Sequence, residues 1–215
     1  MLQLLPRLIV IGLAAAVSPV AVMVLISLML KKNPVRNSSL FLLGFALVLI
    51  AIGIAGLFLL HLGGHAKKSP VDGYIDIALG VLCLLAIPLV WKRKRKRKQE
   101  EPAARDIKPA RAFTLGAATM LVNFSTIPIY VTGVHEISSA KLAVSDDVLA
   151  MIVLTVVTLL TLIVPIITYT AFPKTAARVL SSVRVWLSKN QKVIGATILL
   201  VFGVYLLIKG IHAVV

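Results

Sequence analysis

Charge is scarce in this sequence. Of its 215 residues only 14% are Asp, Glu, Lys or Arg, where a water-soluble domain carries roughly 25%. Acidic side chains are rarest, at 8. The lone cysteine, Cys83, excludes an intramolecular disulfide, a CxxC redox pair and a cysteine-based metal site. Lying inside an apolar run, it reads as a small buried hydrophobe. The chain has no P-loop, no nucleophile elbow and no HExxH, so an enzyme is not expected, nor a cofactor or a bound metal. No ionisable residue falls near the centre of any long apolar run. That absence weighs against a proton relay through carboxylates deep in a membrane bundle, and towards a largely apolar substrate or coupling at the outer rim.

What remains is apolar. Hydrophobic residues make up 59% of the chain and the mean hydropathy is +0.99, against about 45–50% apolar residues in soluble domains. The bilayer must therefore solvate much of the chain. The net charge of +15 would suggest nucleic acid on a soluble fold; here the basic residues sit between apolar runs, which makes them topology signals, and no nucleic acid is expected.

A transmembrane helix needs about 20 mostly apolar residues. Six segments qualify: Leu8–Leu30, Ser39–Leu62, Tyr74–Trp91, Ala112–Val134, Val148–Phe172 and Val193–Ile211. They lack the alternation of β-barrel strands, so the fold class is all-α, polytopic and six-span. Ala14–Ala16 imitates a signal-peptide cleavage site, but the run continues to Leu30, beyond the roughly 7–15 residues of a signal core. The segment is therefore expected to be retained as a span. Of the 23 basic residues, 18 follow the first, third and fifth spans. The positive-inside rule puts these loops in the cytoplasm and both termini outside, most simply in the plasma membrane.

The halves match. Gly12 to Pro19 (GLAAAVSP) aligns with Gly116 to Asn123 (GAATMLVN), and Gly80…Pro88 with Gly195…Gly203 at equal spacing. Three spans per half is an odd number, so the second copy must be inverted, a plan common among secondary transporters, whose substrates bind near the midplane. The expected organisation is residues 1–91 as the first repeat, 92–111 as a basic cytoplasmic linker and 112–215 as the second repeat. The seven consecutive basic residues Lys92 to Lys98 read as a stop-transfer signal able to bind anionic lipid.

The candidate site lies at two helix breaks. Pro19 interrupts the first span, and a proline removes one backbone hydrogen bond and crowds the preceding turn; Ser18 is placed to satisfy the freed groups. At matching depth the fourth span carries Asn123, Ser125, Thr126 and Pro128. Asn123 has donors and an acceptor that hydrocarbon cannot satisfy, so the breaks are expected to face each other inside the protein. Either they form a translocation site or they are a packed kink with interhelical hydrogen bonds. In the fifth span Thr155, Thr158 and Thr161 share roughly one face, either a path lining or a packing face. Glycines such as Gly44, Gly53, Gly56 and Gly80 permit close helix contact. The histidines His61, His65, His135 and His212 fall near the outer boundary with Asp72, Asp76, Glu136, Asp146 and Asp147; together they offer an outer metal or proton site, but the absence of helical metal-ligand spacing within one span makes solvated loop residues the better reading.

Six spans with a Pro break in the first and an Asn-containing break in the fourth resemble the lysine exporter (LysE) superfamily. Its members typically show Pro-Gly-Pro in the first span and Asn-Pro-Lys in the fourth. Here Ser18-Pro19-Val20 and Asn123-Phe124-Ser125 stand in those places; only Pro19 and Asn123 match, which weighs against amino-acid export. The stretch from Ala14 to Phe45, with its Ser-Pro, short basic loop and Gly44, looks more like the glycolipid-addressing-protein (GAP, or sulfolipid-1-addressing) family. That resemblance implies export or surface delivery of a lipid or glycolipid. The translocation site expected from the breaks and the threonine face is Ser18, Pro19, Asn123, Ser125, Thr126, Pro128, Thr158 and Thr161. Export of a small polar solute or metal cation, and a non-transporting scaffold that recruits a partner through its basic linker, remain the alternatives. Expected partners are membrane lipids, a lipid or small-molecule substrate and a second copy of the chain.

Overall fold

The computed structural model describes residues 4–62, 70–92, 107–140 and 143–214. The Lys92–Lys98 side chains, His65, and the side chains of His61 and Asp72 lie outside the described residues. Within them the chain is helical, with no strand. The helices are α1 (Leu4–Ala16), α2 (Pro19–Met29), α3 (Pro34–Leu62), α4 (Pro70–Lys92), α5 (Pro109–Leu121), α6 (Thr126–Ser139), α7 (Val144–Ala171) and α8 (Pro173–Val214).

Proline sets most of the starts. Pro19, Pro34, Pro70, Pro109 and Pro173 each open a helix, where the missing N–H is an orphan in any case and φ is already helical. Pro88 and Pro165 lie inside α4 and α7. Between α2 and α3 the turn is closed by Asn33, which takes a positive φ of 55°. The Asn37 side-chain amide then donates to the Lys32 carbonyl at 2.7 Å.

Four helices are long and apolar enough to cross a membrane, and α1–α2 and α5–α6 would add two more spans, bent by 62° and 73° at their breaks. Neighbours along α3 give the course of the second pair. Near its start α3 meets α5, Phe41 lying against Gly116 and Gly44 against Phe113; near its end Gly53 and Gly56 meet Tyr130 and Val134 of α6. Hence α5–α6 travels the length of α3 and does not turn back on itself. In the same way α7 meets α1 through Leu154 and Val157 at Gly12, and α2 further on, where Val22 and Val164 line one cavity.

The exterior is that of a membrane protein. On α3, Leu43, Leu47, Ile50, Ile54 and Phe58 form one outward stripe, each 43–64% exposed. An apolar strip of that length far exceeds the scattered exposed residues of a soluble monomer. The core runs through α1, α2, α3, α5, α6 and α7, with Phe41, Phe45, Leu25, Met120 and Tyr130 fully buried. A smaller cluster holds α4 to α8 around Cys83, Leu199 and Leu206. Cys83 is fully buried.

The span boundaries hold within a few residues except at the last. Lys174, Arg178, Arg184, Lys189 and Lys192 were expected in a loop. They belong instead to α8, a helix of 42 residues rising about 63 Å. Its first half is amphipathic: Ala176, Leu180 and Leu187 are buried on one face, and the basic residues between them hid that period from hydropathy.

Candidate functional site

The two breaks meet. Ser18 caps α2 with φ −120° and ψ 90°, its Oγ accepting the Ala21 N–H, so Pro19 begins a new helix and does not merely kink an old one. On the other side Val122 to Ser125 leave the helix, and Thr126 and Ile127 donate their N–H groups to the Asn123 carbonyl, each at 3.2 Å. Asn123 Nδ2 then donates to Ser18 Oγ at 2.8 Å and to Thr126 Oγ1 at 2.9 Å. Ser125 Oγ donates to Asn123 Oδ1 at 2.9 Å, and Thr126 Oγ1 to the Ala15 carbonyl at 3.0 Å.

Both amide hydrogens of Asn123 and its oxygen are thus used. Ser18, Asn123 and Thr126 are each at most 5% exposed, so the network ties α1–α2 to α5–α6 in a dry interior, where each bond has little competition from water. Thr126 Oγ1 takes the carbonyl of Ala15, one of the orphans that the end of α1 leaves.

The remaining expected residues divide. Thr161 joins Ser18 and Pro19 in lining a cavity of about 960 Å³. Thr158 only bonds back to the Leu154 carbonyl at 2.8 Å, and Pro128 sits buried in the first turn of α6, its carbonyl taken by Thr132 at 3.0 Å. Thr155 meets the Tyr130 hydroxyl at 2.9 Å. The threonine face therefore serves both packing and lining. Tyr130 went unnoticed in the sequence, where an aromatic in an apolar run has no distinguishing mark.

The cavity is apolar almost throughout, with Ser18, Thr161, Thr168 and Thr175 as the hydroxyl-bearing residues of its lining. Ser18 and Pro19 line it at the break between α1 and α2; Leu160 and Val164 of α7, Phe172 just beyond the end of α7, and Val179, Val183 and Trp186 of α8 form the walls. Its far wall is the amphipathic half of α8 that the sequence suggested was a loop. Its volume lies within the roughly 300–1,000 Å³ of small-molecule sites.

At the opposite end of the bundle a second polar cluster corrects an expectation. Asp76, His135 and Glu136 are not solvated loop residues; they lie on α4 and α6, and Asp76 and His135 are each 3% exposed. Lys209 of α8 pairs with Asp76 Oδ2 at 2.9 Å and with Glu136. Arg7 of α1 reaches Glu136 at 3.8 Å. The available signal was a lone Asp76 in the third predicted span and a lone Lys209 in the sixth.

With this geometry in place, comparison decides the family. The family model described as "Sap, sulfolipid-1-addressing protein" matches residues 8–212. The chain belongs to that family. No curated protein and no solved structure matches it. The match to the sulfolipid-1-addressing family spans both helix breaks, the cavity and all of the second cluster except Arg7.

Proposed function

We propose that this member of the sulfolipid-1-addressing family is a secondary transporter that moves a lipid or glycolipid towards the outer leaflet without changing it chemically. The observation that carries the reading is the cavity of about 960 Å³, apolar almost throughout, with the hydroxyl-bearing Ser18, Thr161, Thr168 and Thr175 on its lining. Such a shape suits an amphiphile, with acyl chain against Val164, Phe172 and Val183 and head group towards Ser18 and Asn123. Lipid tails are as apolar as leucine, so burying a tail there gains little over leaving it in the bilayer. Selection must then come from the few hydroxyls of the lining and from the break beside Ser18. The walls offer a small polar solute or a metal cation few partners, which favours the amphiphile.

Six spans arranged as two inverted groups of three complete the proposal, the groups being residues 1–91 and 112–215, with both termini outside the cytoplasm. Exchanging α1–α2, α3 and α4 for α5–α6, α7 and α8 turns most helix contacts into observed ones: α3 on α5 becomes α7 on α1, α2 on α8 becomes α6 on α4, and α4 on α8 maps to itself, while α7 on α8 has no such counterpart in α3 on α4. Gly12 and Gly116, aligned from sequence, each pack against the second long helix of the other half. Membrane lipids, anionic ones at Lys92–Lys98 included, are the proposed partners.

The test is reconstitution in vesicles with head-group-labelled lipid, scored by the fraction that becomes accessible to an impermeant quencher. Wild type is expected to move lipid above empty vesicles, and Thr161→Trp, which fills the cavity beside Ser18, to lose most of that activity while eluting as a folded protein. Equal movement in empty vesicles, or an unaffected Thr161→Trp, refutes the reading.

A further inference from the structure

The cluster at the far end of the bundle from the cavity takes no part in holding cargo, yet it concentrates charge where charge is costly. Its parts come from four helices: Arg7 on α1, Asp76 on α4, His135 and Glu136 on α6, and Lys209 on α8. Removing an ion from water costs several kcal/mol even after relaxation, so a buried carboxylate retained among apolar helices calls for an explanation. We propose that these five residues form a gate at this end and bind the coupling proton of transport. The inference rests on the transporter reading above.

The arithmetic of charge supports it. With His135 neutral, Asp76 and Glu136 balance Arg7 and Lys209. One lysine serves both carboxylates, Asp76 at 2.9 Å and Glu136 beside it. Asp76 Oδ1 accepts no hydrogen bond among the described residues and lies 3.8 Å from His135 Nε2. A proton therefore has two adjoining places to rest. On Asp76 Oδ1 it cancels one of the two anions holding Lys209. On His135 it supplies Asp76 with a second cation that competes with Lys209. In either state positive charge is in excess, and Arg7 and Lys209 are left to share Glu136.

The mechanical partition follows the packing. α4 and α8 run antiparallel in backbone contact, Gly73 against Gly210 and Gly80 against Gly203, so they move as one body. α1 and α6 are joined by the Thr126–Ala15 hydrogen bond and by Gly133 beside Ile11. Across the divide run Lys209 to Glu136 and His135 to Asp76, and an added proton strengthens both: it bridges the 3.8 Å between Asp76 and His135 and leaves Lys209 to Glu136. Arg7, with its side chain 70% exposed, marks the wet side of the cluster; the Asp76 and His135 side chains, each 4% exposed, mark the dry side. A proton thus enters from solvent at this end, while the cavity lies at the other, as alternating access requires. Among the described residues the other titratable groups at this end are Tyr74 on α4, Asp146 and Asp147 at the start of α7, and His212 on α8; the side chains of His61 on α3 and Asp72 on α4 lie outside them, as do His65, Lys67, Lys68 and Lys141.

Spin labels at Tyr74→Cys and Ser139→Cys, exposed positions on α4 and α6, test the gate without any cargo, in a Cys83→Ala background. Distance distributions are recorded from about pH 8 to about pH 5, the range in which an ordinary imidazole changes charge. A shorter-distance population is expected to grow as pH falls, its ratio to the longer one rising up to about tenfold per pH unit for one coupled proton. In Asp76→Asn/Lys209→Gln, which removes both charges together, that pH dependence is expected to vanish. Glu136→Gln, at a partly open position, should shift its midpoint. A wild-type distribution that ignores pH overturns the proposal whether or not lipid moves, as does a wild-type response in the double variant. A pH-dependent gate in a protein that moves no lipid sinks the transporter reading alone.

Discussion

Gly116→Ala is the sharpest perturbation of this fold, because one methyl group would be placed inside a backbone. A Cβ at Gly116 would overlap the Phe41 carbonyl oxygen of α3 and stand 2.8 Å from its carbonyl carbon. Ordinary carbon–carbon contact is about 3.5–4.0 Å, so α3 and α5 must part by roughly 1 Å along the whole seam. Overpacking of this kind costs about 1–3 kcal/mol, against a gain of up to about 1 kcal/mol in helix propensity. The net loss of about 1–2 kcal/mol corresponds to a fall of roughly 2–8 °C in Tm for a chain of this size. Gly195→Ala is the control: its Cβ would meet only the Val90 side chain, at 3.3 Å, and its Tm should stay level or rise. Cys83 supplies the assay, being the one thiol and fully buried, so a thiol-reactive dye reports unfolding directly. Gly44→Ala should behave like Gly116→Ala, and the double variant should cost less than the sum because both open the same seam. If Gly116→Ala melts at or above wild type, or below it by no more than Gly195→Ala does, the account of this interface is wrong.

Two further expectations concern the breaks and the topology. Asn123→Ala removes the bonds to Ser18, Thr126 and Ser125; at about 0.6 kcal/mol per interhelical bond it should lower Tm by only a few degrees yet abolish most lipid movement, and unchanged transport would separate the network from function. A reporter fused after Val215 should be active only outside the cytoplasm. Replacing Lys92–Lys98 with neutral residues should make that orientation mixed; a uniform orientation in the variant would show that these residues do not set it.

Hydropathy located the long apolar helices because about twenty apolar residues is a local property. The breaks were legible for a similar reason. Pro19 and Asn123 each violate what a span tolerates, and two such violations at one depth have a single economical resolution, which is to meet. The amphipathic half of α8 was not legible as a helix, since its arginines and lysines depress hydropathy while its buried residues keep helical spacing. Asp76 and Lys209 stand 133 positions apart, and neither reveals the other until α4 and α8 are laid side by side. Thr155, Thr158 and Thr161 defied a single reading because a hydroxyl in a helix can always fall back on its own carbonyl, as Thr158 does at 2.8 Å.

The glycine seam between α4 and α8 also orders events in time. Ribosomes deliver α4 first, with Asp76 and the bared backbone at Gly73 and Gly80, and more than half of the chain must follow before Lys209 arrives. Throughout that interval Asp76 lacks its lysine in a setting that penalises an unpaired charge. The newborn first half is therefore an unfinished object, and a chain cut short before α8 presents an open groove with an uncompensated acid at its rim. Membrane quality control has in that pair a simple criterion of completeness, met only when the last helix is in place.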